Sequence, residues 1–248
     1  MLNIVFPMGA GSNFFEGQPF PKPLIEILGK SMIQRVIENY REIKEEKQFI
    51  FIVSKNDCAK YHIDQVLKIL AGNLRSHVIQ LDADTKGAAC SVLMAVEHIS
   101  NDNPLIIANS DQVFRSGLEQ AVDFFQNHDA DAGVICMETV HPRWSYVRLD
   151  DKGKVVETAE KRPLSKNAIA GFYYFKHGRD FVKAAMDMVL KDNNVDGNYY
   201  IAPAINELIL EGKDVRIFMI DNDKYHTFYS PEKIKEFEQK HYEDTRTK

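Results

Sequence analysis

Leu2-Asn3-Ile4-Val5-Phe6-Pro7-Met8-Gly9-Ala10-Gly11-Ser12-Asn13-Phe14 opens the chain, and Pro19-Phe20-Pro21-Lys22-Pro23-Leu24-Ile25 follows shortly after. An apolar run that feeds directly into closely spaced glycines reads as a buried strand ending in a ligand loop. Glycines there let backbone N–H groups converge on a phosphate, because no Cβ blocks the approach. The loop lacks the Gly-Lys-Ser/Thr ending of a nucleotide-kinase P-loop and the third glycine of a dinucleotide fingerprint. Gly-x-Gly alone is weak, since ordinary turns produce it. Lys22 sharpens the reading. Prolines on both sides discourage helix and predict a rigid, extended lysine that can deliver charge to a phosphate held by the loop.

Working outward, four more apolar runs match the first: Phe49–Val53, Val78–Leu81, Pro104–Ala108 and Gly133–Met137. Amphipathic stretches alternate with them, marked by Ile33, Val36, Ile37 and Tyr40, then Ile63, Val66 and Leu67, then Val92, Val96 and Ile99, then Leu118, Val122 and Phe125. Strand then helix, repeated, predicts a mostly parallel α/β sheet covered by helices on both faces. The second half changes texture. Ser145–Leu149 and Lys154–Thr158 flank Asp150-Asp151-Lys152-Gly153, which predicts a β-hairpin. Ala170–Phe175 and Val215–Ile220 read as strands, Phe181–Leu190 and Pro203–Leu210 as helices, and Pro231 opens a charged helix. The expectation is one domain over residues 1–248, in which the second part (141–248) adds strands, a lid-like region over the sheet edge and the C-terminal helix to the alternating first part (1–140).

The 248 residues are 44 % hydrophobic and 27 % charged, with a formal net charge of −5. That composition excludes disordered, collagenous and disulfide-scaffold classes. No run reaches a membrane span, and the acidic balance argues against nucleic acid as a partner. Cys58, Cys90 and Cys136 are widely spaced and read as free thiols. The start Met1–Phe6 has neither a basic region nor a long apolar run, so no signal peptide is read and a cytoplasmic location is expected.

Strand, Gly-x-Gly-Ser, Pro-Lys-Pro-Leu-Ile, then Gly29-Lys30-Ser31-Met32-Ile33 resembles the N-terminus of the sugar-1-phosphate nucleotidyltransferases, enzymes with a GT-A-like Rossmannoid fold. The resemblance runs along most of the chain. It implies that Met8, Gly9, Ala10, Gly11, Ser12 and Asn13 cradle a nucleoside triphosphate and that Lys22 contacts phosphate at the reacting centre. Asn13 stands where the family usually has an arginine on the leaving pyrophosphate; Lys30 or Arg35 could substitute.

Thr85, Gly87 and Ala88 sit between a strand and a helix, and the resemblance places them at the base, with UTP or CTP favoured. Thr85 is equally read as an ordinary helix cap. Asp111 follows the fourth apolar run. A carboxylate there lies at the ligand edge of an open α/β sheet and suits Mg²⁺, which the resemblance also implies; the competing reading is a helix N-cap. The family's second, C-terminal aspartate is matched by Thr227, with Asp221 and Asp223 just upstream. Glu160 and Lys161, in Glu-Lys-Arg-Pro, resemble the element that binds sugar hydroxyls and phosphate, or else are a solvated charge run. Gly171, Asn198 and Trp144 are the remaining acceptor candidates, Trp144 being as readily packing. Zinc-like histidine spacing and a serine-hydrolase elbow are absent from the sequence.

The implied reaction joins a nucleoside triphosphate to a phosphorylated small molecule, a sugar 1-phosphate by preference, releasing pyrophosphate. Such products commonly feed bacterial capsule, lipopolysaccharide or glycan synthesis. Two other readings stay open: a nucleotide-binding relative impaired at Asn13 and Thr227, and a GT-A glycosyltransferase that uses a ready-made nucleotide sugar.

Overall fold

The structure, a computed structural model, describes residues 1–9 and 13–246. In chain order the strands and helices are β1 (Leu2–Pro7), β2 (Glu26–Ile27), β3 (Lys30–Ser31), α1 (Met32–Arg41), β4 (Lys47–Ser54), α2 (Lys55–Tyr61), α3 (Ile63–Ala71) and β5 (Arg75–Leu81). Then come α4 (Ala88–Leu93), α5 (Val96–Ile99), β6 (Leu105–Ala108), β7 (Gln112–Phe114), α6 (Leu118–Asn127), β8 (Ala132–Glu138), β9 (Ser145–Leu149), β10 (Val155–Glu160) and β11 (Asn167–Phe175). The last are α7 (Gly178–Leu190), α8 (Ile201–Leu210), β12 (Val215–Met219), β13 (Tyr225–Thr227) and α9 (Pro231–Arg246).

The main sheet follows the predicted alternation. β5, β4, β1 and β6 are parallel neighbours, with Ile4 opposite Phe49 and Val5 opposite Ile107. β11 then runs antiparallel to both β6 and β8, so β8, and β12 beside it, share the direction of β6. Each central strand divides its side chains by the two-residue pleat. Ile4, Phe6, Phe49 and Phe51 enter one core with Ile33, Val36, Leu67 and Phe125 from α1, α3 and α6. Val5, Ile50, Ile52 and Ile107 enter the other with Val92, Phe181 and Ile205 from α4, α7 and α8. Burial on both faces is why these strands read as unbroken apolar runs.

Two local expectations differ from the structure, and one helix was not read in the sequence. The stretch Val92–Ile99 is two short helices; i→i−3 bonds from Met94 N and Ala95 N tighten the chain between them. A helix ahead of Ile63, α2, has a polar sequence; Ser54 accepts from Asn56 N, and His62 at φ +52° separates it from α3. Lys22 is not extended but begins a 3₁₀ turn, Lys22–Leu24, whose missing proline N–H falls where no intrahelical bond is required.

Edge strand β5 carries a pH-sensitive contact. His77 stacks on His98 with ring centroids 4.1 Å apart, and its Nε2 is buried without a partner. Burial, then the neighbouring His98 and Arg75, hold the His77 pKa below its ordinary 6.5. The unfolded chain therefore binds a proton first as pH falls, so stability held above pH 6.5 is lost below it. His77→Gln is expected to shrink the drop in urea midpoint between pH 7 and pH 5; an unchanged drop would show that other groups drive it.

Candidate active site

An open cleft of about 460 Å³ lies at the C-terminal ends of β1 and β6 and is closed on its far side by β9–β11 and β13. Its lining includes Met8, Lys22, Asp111, Arg143, Trp144, Glu160, Gly171 and Thr227. Residues far apart in sequence thus converge, as expected for a ligand site at the carboxyl edge of an open α/β sheet.

At the centre, Lys22 Nζ donates to Asp111 Oδ2 at 2.5 Å. Both side chains keep about a fifth of their surface in contact with solvent, so the pair is reachable by a ligand. Asp111 caps no helix; it precedes the short strand β7. Its main chain is fixed instead by the end of β13 and the residue after it, because Phe228 N donates to Asp111 O at 2.7 Å and Thr227 Oγ1 at 3.4 Å. This places Thr227 beside Asp111. Asp221 pairs with Lys224 at 2.8 Å, and neither Asp221 nor Asp223 lines the cleft.

Among the described residues no group of three His, Cys, Asp or Glu could hold a metal. The donor set here, one accessible carboxylate and a hydroxyl, fits a hard cation that completes its shell with substrate phosphates and water, as Mg²⁺ commonly does. It does not fit zinc or a soft metal.

The wall opposite is built on a bulge. Between Ile169–Tyr173 on β11 and Cys136–Val134 on β8 the register slips, leaving Ala170 and Gly171 outside regular pairing. Their carbonyls accept from Gln112 Nε2 at 2.7 and 2.9 Å, and Gly171 O also accepts from Asn109 N at 3.0 Å. Gln112 is fully buried, and Tyr225 Oη donates to its Oε1 at 2.9 Å. Nothing in the sequence marks Gln112 as special, since one buried amide in an apolar strand leaves no periodic trace.

Glu160 lines the cleft and accepts from Ser145 Oγ across the β9–β10 hairpin. Burial pushes its carboxyl above the ordinary 4.5; the Ser145 hydroxyl and Lys161 oppose this with smaller effect. Lys161 sits at φ +54° and turns outward, with Nζ 2.9 Å from Tyr200 Oη and 3.7 Å from Asp196. Asn198 Nδ2 donates to Asp196 O, outside the cleft lining. Trp144 is half-buried and meets Tyr225 edge-on at 5.8 Å, so it packs and lines the cleft at once.

Of Thr85, Gly87 and Ala88, only Ala88 reaches the lining. The Thr85 hydroxyl lies 3.1 Å from Gly87 O and 2.6 Å from Ser91 Oγ, tying the loop to the first turn of α4. Gly87, at φ +103°, faces the backbone of Tyr199, whose N lies 2.7 Å from where a Cβ would stand. Its glycine is therefore required by packing within the chain. Tyr199 O accepts from Ala89 N at 3.0 Å, satisfying one donor at the helix start. Of the glycine loop, Met8 lines the cleft and Gly9 packs on Leu81. Ala10, Gly11 and Ser12 lie outside the described residues, as does the Asn13 side chain. Neither Lys30 nor Arg35 lines the cleft. Lys30 pairs with Glu38 at 2.7 Å, and Arg35 donates to Ile27 O and Leu28 O at 2.7 and 2.9 Å, holding the β2–β3 turn.

The cysteines are free; Cys58 and Cys136 are buried and Cys90 half-buried. Burial raises all three thiol pKa values, which disfavours the reactive thiolate. No helix among the described residues is long and apolar enough to cross a membrane.

A mostly parallel α/β sheet with an accessible lysine–aspartate pair at its carboxyl edge is the arrangement of a ligand site in an open α/β fold. The family model for nucleotidyl transferases matches residues 17–226, and the chain belongs to that family. Bifunctional protein GlmU of Streptococcus gordonii is 24 % identical over 231 residues, covering 89 % of this chain and 47 % of the relative. GlmU of Methanocaldococcus jannaschii is 24 % identical over 197 residues, covering 78 % and 43 %. The chain thus spans about half the length of these curated relatives. A crystal structure of a nucleoside-diphosphate-sugar pyrophosphorylase from Vibrio cholerae superposes with a TM-score of 0.85 at 23 % identity, covering 95 % of this chain and 99 % of that one. UDP-glucose pyrophosphorylase complexed with UDP-glucose gives 0.79 at 16 % identity, covering 98 % and 99 %. These superpositions bear out the fold class expected from the sequence.

Proposed function

We propose that the protein is a nucleotidyltransferase that joins a nucleoside triphosphate to a phosphorylated acceptor, a sugar 1-phosphate by preference. The observation that carries this reading is the solvent-accessible Lys22–Asp111 pair in a cleft that also holds Glu160 and Gly171. An acceptor phosphate oxygen attacks the α-phosphorus, the bond from that phosphorus to the bridging oxygen breaks, and pyrophosphate leaves with the electron pair. Both substrates are anions, so alignment and charge neutralisation supply most of the catalysis.

Asp111 would hold Mg²⁺, which when bound neutralises phosphate charge and orients phosphate oxygens. With Asp111 given to the ion, Lys22, its partner here, would be free to donate to the phosphates. Residues 1–140 would bind the nucleotide, with UTP or CTP favoured, and residues 141–248 the acceptor. Glu160 would accept hydrogen bonds from sugar hydroxyls beside the Gly171 backbone, with Lys161 at the rim. The relatives' names, which include UDP-glucose pyrophosphorylase, support a sugar acceptor. The absence of a carboxylate at Thr227 favours a second reading, a nucleotide-binding relative without turnover.

The deciding experiment measures pyrophosphate release with each of the four nucleoside triphosphates and Mg²⁺ against a panel of sugar 1-phosphates and other phosphomonoesters. Release that requires one triphosphate and one acceptor is expected. Triphosphate binding with no release across the panel would move the assignment to the second reading.

Glu160 gives a separable prediction. Its raised pKa means the folded state keeps a proton longer than the unfolded chain, so stability falls as pH rises from about 4.5 through the folded value. Glu160→Gln is expected to raise the melting temperature at pH 8, to change it little at pH 4, and to raise the acceptor KM. A lower melting temperature at pH 8 would mean that the carboxylate stabilises the fold.

A further inference from the structure

The cleft is short of positive charge for the substrates proposed. Among the described residues lining it, Lys22 and Arg143 are the cations and Asp111 and Glu160 the acids. Lys22 is engaged with Asp111. Arg143 is different. Its guanidinium carbon lies 3.1 Å from the Tyr229 ring centroid and 5.2 Å from that of Trp144, and no carboxylate among the described residues pairs with it. Aromatic faces hold a guanidinium in place without using its N–H donors, which stay in the plane of the fork. A half-buried planar fork with no acid partner suits phosphate oxygens, which it can bind bidentately.

Its position is specific. Tyr229 also meets Phe14 edge-on at 5.8 Å, so Arg143 is joined through one ring to the loop that follows β1. Thr227, two residues before Tyr229, is bonded to Asp111 O. Arg143 also borders a second hollow of about 330 Å³ lined by Lys233, Lys240 and Glu236, of which Lys233 and Glu236 pair at 2.6 Å.

We propose, resting on the nucleotidyl-transfer reading, that Arg143 is a phosphate-binding residue of this cleft, and that the phosphates it holds are those of the leaving pyrophosphate. The long sequence separation between Arg143 and the glycine loop hides this. In the sequence it sits beside Trp144 and Ser145 and reads with the acceptor.

The test is calorimetric titration of wild type, Arg143→Met and Arg143→Lys, in Mg²⁺, with inorganic pyrophosphate and separately with glucose 1-phosphate and UTP. Arg143→Met is expected to weaken pyrophosphate binding by about 10- to 100-fold, the range for losing charge-assisted hydrogen bonds. Arg143→Lys, which keeps charge and stem but not the fork, is expected to fall between. Glucose 1-phosphate binding should hold within about twofold. Loss confined to glucose 1-phosphate would keep Arg143 as a phosphate ligand but overturn its assignment to pyrophosphate. Wild-type binding of pyrophosphate and UTP, matched by both variants, would overturn the role of Arg143 and leave the family reading intact. A wild type that binds none of the three probes would overturn both.

Discussion

Pyrophosphate release is expected to fall roughly a thousandfold in Asp111→Asn, about 4 kcal/mol of transition-state stabilisation. Asparagine keeps the shape of the side chain and one acceptor oxygen, so the change isolates the charge. Two effects add. A neutral amide is a poor ligand for a hard dication, and Lys22 loses the group that positions its ammonium in the apo cleft. The fold should be little affected. The main chain of Asp111 is held by Phe228 N and Thr227 Oγ1, which the substitution leaves in place. The pair itself keeps solvent contact, so its loss should cost no more than about 1 kcal/mol. The check is a paired measurement of release rate and melting temperature. A loss of less than tenfold, with the fold intact, would remove Asp111 from the reaction and with it the metal role proposed for it.

The halves of the molecule differ in how far the sequence exposed them. β1, β4, β6 and β8 were legible because each is buried on both faces, so composition alone marks them. Helices α1, α3 and α6 were legible through one apolar face apiece. What stayed hidden depends on contacts between distant segments. β7 and β13 are three residues each and exist by pairing across more than a hundred residues, and nothing local announces such strands. The same holds in the site. Lys22 and Asp111 could be singled out by their flanking prolines and strand, yet their direct pairing could not. Gln112 and Arg143 act through partners that only the folded chain supplies. The glycines show the opposite failure. Gly87 is easily read as room for a ligand, whereas the Tyr199 backbone already occupies the space. A glycine signals close approach, but not of what.

Gly171 is where close approach matters most, and Gly171→Ala is expected to be among the most damaging single substitutions in the chain. The residue sits at φ +63°, and an added Cβ would overlap Asn109 Nδ2 and Gln112 Oε1. The first fault is backbone strain, roughly 1 kcal/mol for a left-handed alanine. The second is steric, and Gln112 cannot move away cheaply. It is fully buried and ties the bulge to β13 through Tyr225 Oη. Displacing it would take the Gln112 donor from the carbonyl of Ala170, at about 1–3 kcal/mol for a buried unsatisfied group. Together about 3 kcal/mol is expected, or roughly 6–12 °C in melting temperature for a chain of this size. Gly29→Ala separates the two faults. Gly29 has a similar φ of +76° with nothing within 4 Å of the added Cβ, so it reports strain alone and should cost no more than roughly 1–2 kcal/mol. Equal losses at the two positions would mean that the bulge tolerates a side chain. A much larger loss at Gly171, with a raised acceptor KM in the fraction that still folds, would mean that the Asn109–Gln112–Gly171 network holds the wall proposed for the acceptor in place. Because Asn109 and Gln112 flank Asp111 in sequence, the same overlap would disturb both sides of the cleft, so kcat should fall along with stability.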